Sequence, residues 1–266
     1  MSAVNLASST RFGLTALRNV AEQMEVSQKR LATGKAVNTA LDNVSKFFTA
    51  SKMDGRAASI DTLLDSVNNA QTSLKAASEG IKGIQGIVKQ ARALTGQALA
   101  TSDTASRLAL STQFETLTAE IAKVVTDSKI NGTNLLNNES ITVTLNEDGT
   151  SKTTIAGVTV GTIAATANDW AAEADIKASV DALNTFSTAL EASATSFGTS
   201  QALISVRKDF NSALSNILKT GASELTAADM DAEAANLMAL QTRQQMASTA
   251  LSIMQSTEST ALRLLR

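Results

Sequence analysis

Apolar residues recur along this chain at seven-residue spacing over several long stretches. Between Met53 and Ala98, one row runs Ile60, Val67, Leu74, Ile81 and Val88. A second row, three positions later, runs Leu63, Ala70, Ala77, Ile84, Ala91 and Ala98. Two such rows make one seam along a helix, the pattern by which long helices pack side by side. At about 1.5 Å per residue, these ~45 residues predict a rod of about 68 Å. Gly80, Gly83 and Gly86 each cost about 1 kcal/mol against Ala in a helix. Packing is therefore expected to hold them helical, and their small size allows a neighbouring helix to come close.

The segment from Thr104 repeats the pattern through Leu110, Phe114, Leu117, Ile121 and Val124, and "KINGTNLLNN" then breaks it at the turn signal Asn131-Gly132. From Glu139 to about Ile163 the period becomes two. Ile141, Val143 and Leu145 alternate with polar residues, Asp148-Gly149 marks a turn, and Ile155, Val158 and Val160 follow, which predicts one or two β-hairpins. Helix is expected again from about Ala171, where Ile176, Leu183, Leu190, Phe197 and Ile204 stand seven apart, with a phase shift before Phe210 and Ile217. "KTGASELTAADMD" reads as a hinge, with Gly221 ending one helix and Ser223 or Thr226 capping the next.

The two ends match in kind. Leu14, Leu17, Ala21, Met24 and Leu31 keep a heptad-like frame near the start, and Leu237, Leu240, Ala247, Leu251, Met254, Ala261 and Leu265 do so near the finish. Chain ends usually fray and are polar, so these stripes are expected to be covered by each other or by other copies of the chain. Met238, Met246 and Met254 are expected to fill gaps between helices rather than bind a ligand. The fold class is mainly α: a long helical-hairpin coiled-coil rod with a small β-hairpin insertion and paired terminal helices. The divisions fall at 1–43 (terminal helix), 44–137 (rod helices), 138–170 (β insertion), 171–221 (returning rod helix) and 222–266 (closing helix).

Composition narrows the function. The chain has no His, Cys, Pro or Tyr. Without Pro long helices run uninterrupted. Without Cys there is no disulfide frame or thiolate chemistry. Without His a serine triad or a zinc protease of the His-Glu-x-x-His type has no base or ligand. A formal charge of −2 and 3% aromatic residues give neither a phosphate-binding patch nor a base-stacking platform, so no nucleic-acid partner is expected. No apolar run approaches the roughly 20 residues of a membrane span. The first residues lack the basic region and apolar block of a secretory signal. An enzyme is not expected, nor is a cofactor or metal. Asp229 and Asp231 read as helix N-terminal charges. Asn131-Gly132-Thr133 fits a glycosylation pattern but reads as a turn.

The motifs, taken in order, resemble those of the bacterial flagellins. "LTALRNVAEQMEVSQKRLATGKAVNTALDNVSKF" is similar to the family's opening helix and its Leu-Ser/Ala-x-Gly turn. "TDSKINGTNLLN" is similar to its Asn-Gly-x-x-Leu-Leu turn, and "ADMDAEAANLMALQTRQQMASTALSIMQSTESTALRLLR" to its closing helix with a Gln-rich centre and terminal Leu-Leu-Arg. Asp42-Asn43 stands where many relatives carry paired Asp residues before an Ala-Ala-Gly stretch.

The resemblance implies a subunit that assembles with its own copies into the helical homopolymer of a swimming filament. Leu14, Leu17, Met24, Leu31, Leu237, Leu240, Leu251, Met254 and Leu265 would line the filament core. It implies export through the flagellar apparatus without signal cleavage, junction and cap proteins as partners, and the C-terminal helix as the seat of any secretion chaperone. "VKQARALTGQ" lies where many flagellins carry a surface read by the Toll-like receptor for flagellin. Of Lys89, Gln90, Ala91, Arg92, Ala93 and Leu94, only Arg92 and Leu94 match, so weak activation is expected. The hook–filament junction protein shares the end helices. A surface adhesin is the other rival, with Trp170 as the one Trp to anchor a sugar. Leu-Leu-Arg and the small insertion favour the filament subunit over both.

Overall fold

The computed structural model describes residues 8–264. In chain order they form α1 (Ser8–Thr33), α2 (Val44–Ala100), α3 (Thr104–Asp127), β1 (Ile141–Thr144), β2 (Lys152–Ile155), α4 (Glu173–Thr226) and α5 (Met230–Leu264). The chain divides into two compact units: residues 56–216, and residues 1–55 with 217–266.

In the unit of residues 56–216, both predicted rows of α2 face inward. Val67, Leu74, Ile81 and Val88 are buried with Ala70, Ala77, Ile84, Ala91 and Ala98, and they share one cluster with Phe114 and Ile121 of α3 and with Ile176, Leu183, Leu190, Phe197 and Ile204 of α4. Gly80 is the close approach in this packing. A Cβ there would overlap the Ser128 hydroxyl and come within 2.8 Å of Leu136 Cδ1. Gly83 keeps 3.7 Å from Val124, and Gly86 faces open space, so only one of the three glycines is required by a neighbour.

The α4 row shows no phase shift. The seven-residue seam continues from Ile204 through Asn211, with buried Ser215 four positions beyond, while Phe210 stays 57% exposed outside it. Apolar spacing missed this because two seam positions are polar and bonded. Asn211 Nδ2 donates to the Leu145 carbonyl at 3.2 Å, and the Ser215 hydroxyl donates to Asp61 Oδ1 at 2.8 Å.

Asn131 and Gly132 both have positive φ (52° and 86°), and Ile130 and Thr133 exchange backbone hydrogen bonds across them. That is the two-residue turn for which Asn-Gly is the favoured pair. Asn134 then fixes the segment: its backbone N–H donates to Glu139, its Nδ2 to the Val125 carbonyl, and its Oδ1 accepts from Leu136 N–H.

One hairpin forms. β1 and β2 pair antiparallel with Ile141 opposite Ile155 and Val143 opposite Thr153. Val158 and Val160 build no second hairpin. Their N–H groups donate to the carbonyls of Leu135 and Leu136, so the segment lies along the "NLLNN" turn. Asn168, Asp169 and Trp170 follow with positive φ, a left-handed turn that L residues adopt at a cost. Burial of Trp170 offsets that cost. Its ring centroid lies 5.0 Å from that of Phe114, and its indole N–H donates to the Ser179 hydroxyl at 2.9 Å. Helix resumes at Glu173, two residues beyond the predicted start.

In the other unit, α1 ends before Gly34, whose φ of 68° supplies the left-handed residue that closes a helix. The Thr226 carbonyl accepts from the N–H groups of Ala36 and Val37, and the Gly34 carbonyl accepts from Ala228 N–H, which knits the α1–α2 and α4–α5 corners together. The predicted hinge differs in detail. Gly221 lies inside α4, where a Cβ would sit 3.4 Å from Met53 Sδ. Thr226 is the last residue of α4, and its hydroxyl donates back to Ala222. Asp229 caps α5, accepting from the N–H groups of Asp231 and Ala232. Helix continues through Gly221 because the packed face favours a small residue there.

Candidate assembly surface

The first and last helices, α1 and α5, pack directly on each other. Gly13 makes their closest approach: a Cβ there would lie 2.8 Å from Leu251 Cδ1 and 3.8 Å from Met254 Cε. A polar cluster fixes the pair further along. The buried Ser27 hydroxyl donates to Glu233 Oε1, Arg30 stands 3.9 Å from Glu233 Oε2, and Asn236 Nδ2 donates to Ser27 at 3.5 Å. Buried polar contacts of this kind fix register between paired helices. They escape a search for apolar rows.

Of the predicted core-lining residues, Leu240 is buried at 2% exposure. Leu17, Met24, Leu31, Leu237, Leu251 and Met254 are half-buried, and Leu14 is exposed. Leu265 lies outside the described residues. A second set of apolar side chains, outside this seam, stays open to solvent: Phe12, Val26, Met238, Met246 and Ile253, the last 61% exposed. Met238 and Met246 thus fill no gap within their own chain. An exposed polar-rimmed groove of about 410 Å³ runs over the pair, lined by Asn19, Glu22, Val26 and Asn236 among others.

In the unit of residues 56–216, Ala91 belongs to the buried seam, whereas Lys89, Gln90, Arg92 and Ala93 are exposed and Leu94 is half-buried. Gln90, Ala93 and Leu94 form one wall of an apolar groove of about 490 Å³, and Gln113, Thr116 and Leu117 of α3 form the other. Trp170 is fully buried, so it offers no surface platform for a sugar.

Two exposed carboxylates shape the helix ends. Asp42 is held below the usual carboxylate range by hydrogen bonds from the backbone N–H groups of Thr39 and Asn38. Its neighbour Asn43 caps α2 by accepting from Lys46 N–H at 3.0 Å. Asp103 is lowered by the hydroxyl and then the backbone N–H of Ser106, which it caps at the start of α3. Among the described residues no three His, Cys, Asp or Glu side chains are grouped to hold a metal, and no described helix is long and apolar enough to cross a membrane.

A chain whose first and last helices pair, while both keep apolar residues in solvent, belongs to the class of self-assembling helical structural proteins. The family model of the bacterial flagellin N-terminal helical region matches residues 4–141, and that of the C-terminal helical region matches residues 180–265. The flagellins FljO and FljK of Caulobacter vibrioides are 29% and 30% identical over 277 and 281 residues, each covering 100% of this chain and 99% of the relative. A flagellin of Brucella melitensis is 28% identical over 274 residues, 95% of this chain and 96% of its own. The chain belongs to the bacterial flagellins. It is a structural subunit that polymerises with its own copies into the extracellular flagellar filament.

Proposed function

We propose that the α1–α5 pair is the element that lines the filament core, and that the rod helices and β insertion pack around it. The observation that carries this is the apolar set left in solvent on α1 and α5 after the two helices have packed together. Burying one Leu-sized side chain contributes roughly 1.5–3 kcal/mol, so Phe12, Val26, Met238, Met246 and Ile253 supply enough driving force to order the pair within a polymer. Leu14, Leu17, Met24, Leu31, Leu237, Leu240, Leu251, Met254 and Leu265 form the seam that presents this set. Leu251 packs on Gly13, so Leu251→Asp strikes the pair before it strikes the polymer.

The chain leaves the cell through the flagellar export apparatus with no cleaved signal. The C-terminal helix is the seat of any secretion chaperone, and junction and cap proteins contact the filament ends. Its role is mechanical, transmitting torque along packed rods, and no catalytic function is assigned to it. Seeded polymerisation of the full chain against one truncated after Leu225, followed by electron microscopy, tests the reading. Tubular filaments from the full chain alone are expected. Filaments from both would remove α5 from the assembly mechanism.

A further inference from the structure

Two features of the unit of residues 56–216 are incomplete in the single chain, and each has what the other lacks. The first is a patch where the hairpin loop crosses α2 and α4. Glu147 Oε1 accepts from Arg56 Nε at 2.6 Å, while Glu147 Oε2 is buried with no hydrogen-bond partner. Around it lies a cleft of about 240 Å³ that Arg207 and Phe210 also line. Arg207 has no hydrogen bond or ion pair among the described residues. Phe210 continues an exposed apolar stripe with Leu203 and Val206, one and two turns back along α4. The patch therefore lacks a donor for Glu147, an acceptor for Arg207, and a cover for an aromatic ring.

The second feature is the α2–α3 groove. Its apolar wall residues Ala93, Leu94 and Leu117 stand beside Gln90 and Gln113, whose amides have no hydrogen bond among the described residues. A primary amide both donates and accepts, so a glutamine can serve the orphan carboxylate oxygen and the free guanidinium alike. No charged side chain lines the groove, so neither charge of the patch meets a like charge there. At about 490 Å³ the groove has room for a phenyl ring.

We propose that the patch of Glu147, Arg207 and Phe210 on one copy docks into the α2–α3 groove of a second copy, Phe210 against Leu94 and Leu117. This rests on the reading of the chain as a filament subunit and adds a contact made by the rod helices. The two surfaces differ, so the contact is head-to-tail in type and propagates without closing on itself.

The absence of cysteine makes the contact testable by cross-linking. One chain carries Thr116→Cys at the groove, another Val206→Cys on the stripe. Both are diluted into unmodified chain, so that filaments form regardless of either change, and are treated with a short bis-maleimide. A covalent adduct joining the two different variants is expected in filaments and absent from the monomer mixture. Filaments without that adduct overturn the contact but leave the filament reading standing. An unmodified chain that gives no filaments overturns both. In parallel, Phe210→Lys is expected to raise the critical concentration about tenfold or more, as loss of a buried aromatic anchor does, with helicity unchanged. An unchanged critical concentration contradicts the proposal.

Discussion

Gly80 and Gly86 are identical residues in one helix with opposite environments, and substitution separates them. Gly86→Ala adds a methyl to open space and a better helix former, so it is expected to raise stability by about 0.5–1 kcal/mol. Gly80→Ala drives its methyl into Ser128 and Leu136, and the buried seam has no room to yield, so it is expected to lower stability. Denaturant unfolding of the two variants checks the opposite signs. Asp42 and Asp103 belong to the same scale. Each carboxyl titrates lower in the folded chain because the ionised form accepts local N–H and O–H groups. Their stabilisation is thus fully present above the ordinary carboxylate pKa and is lost as pH falls through the lowered folded value. Melting temperature is expected to fall with pH in that acid window, and Asp42→Asn to flatten the fall. An unaltered slope in the variant removes Asp42 from the account.

At the scale of elements, what was legible in the sequence tracks how apolar the packing is. The seams of α2 and of α4 up to Ile204 could be read because Ile, Leu, Val, Phe and Ala repeat without interruption. The seam of α4 beyond Ile204 could not, since Asn211 and Ser215 hold seam positions through hydrogen bonds that only the fold reveals. The α1–α5 pair is similar. Its apolar frame was visible, but Ser27, Glu233 and Asn236 carry part of its register. Loop chemistry was mixed. Asn131-Gly132 formed the turn its residues favour, whereas Gly221 continued as helix because packing outweighed a local stop signal. Val158 and Val160 found partners in Leu135 and Leu136 rather than a second hairpin, a long-range choice that alternation alone does not encode.

At the scale of the whole molecule, function lies in what the single chain leaves uncovered. The composition lacks the residues of common catalytic and metal sites, and the described surface instead offers apolar side chains and unpaired amides. The innate-receptor surface belongs here as a proposal. Lys89, Gln90, Arg92 and Leu94 flank the α2–α3 groove, and the first Arg and the Glu of the usual pattern are missing. Reporter cells bearing the Toll-like receptor for flagellin are expected to respond weakly to the monomer. A response equal to that of an enteric flagellin contradicts this reading.

The central claim is that the apolar residues outside the α1–α5 seam drive assembly, and substituting the exposed Ile253 tests it most directly. Ile253 is 61% exposed, so Ile253→Asp leaves the seam with Leu240, Leu251 and Met254 in place. Seeded polymerisation of this variant is to be followed by light scattering, with circular dichroism of the monomer alongside. The account predicts a folded, helical monomer that does not extend seeds at concentrations where the unmodified chain does. Normal elongation by Ile253→Asp would place the assembly surface elsewhere on the chain.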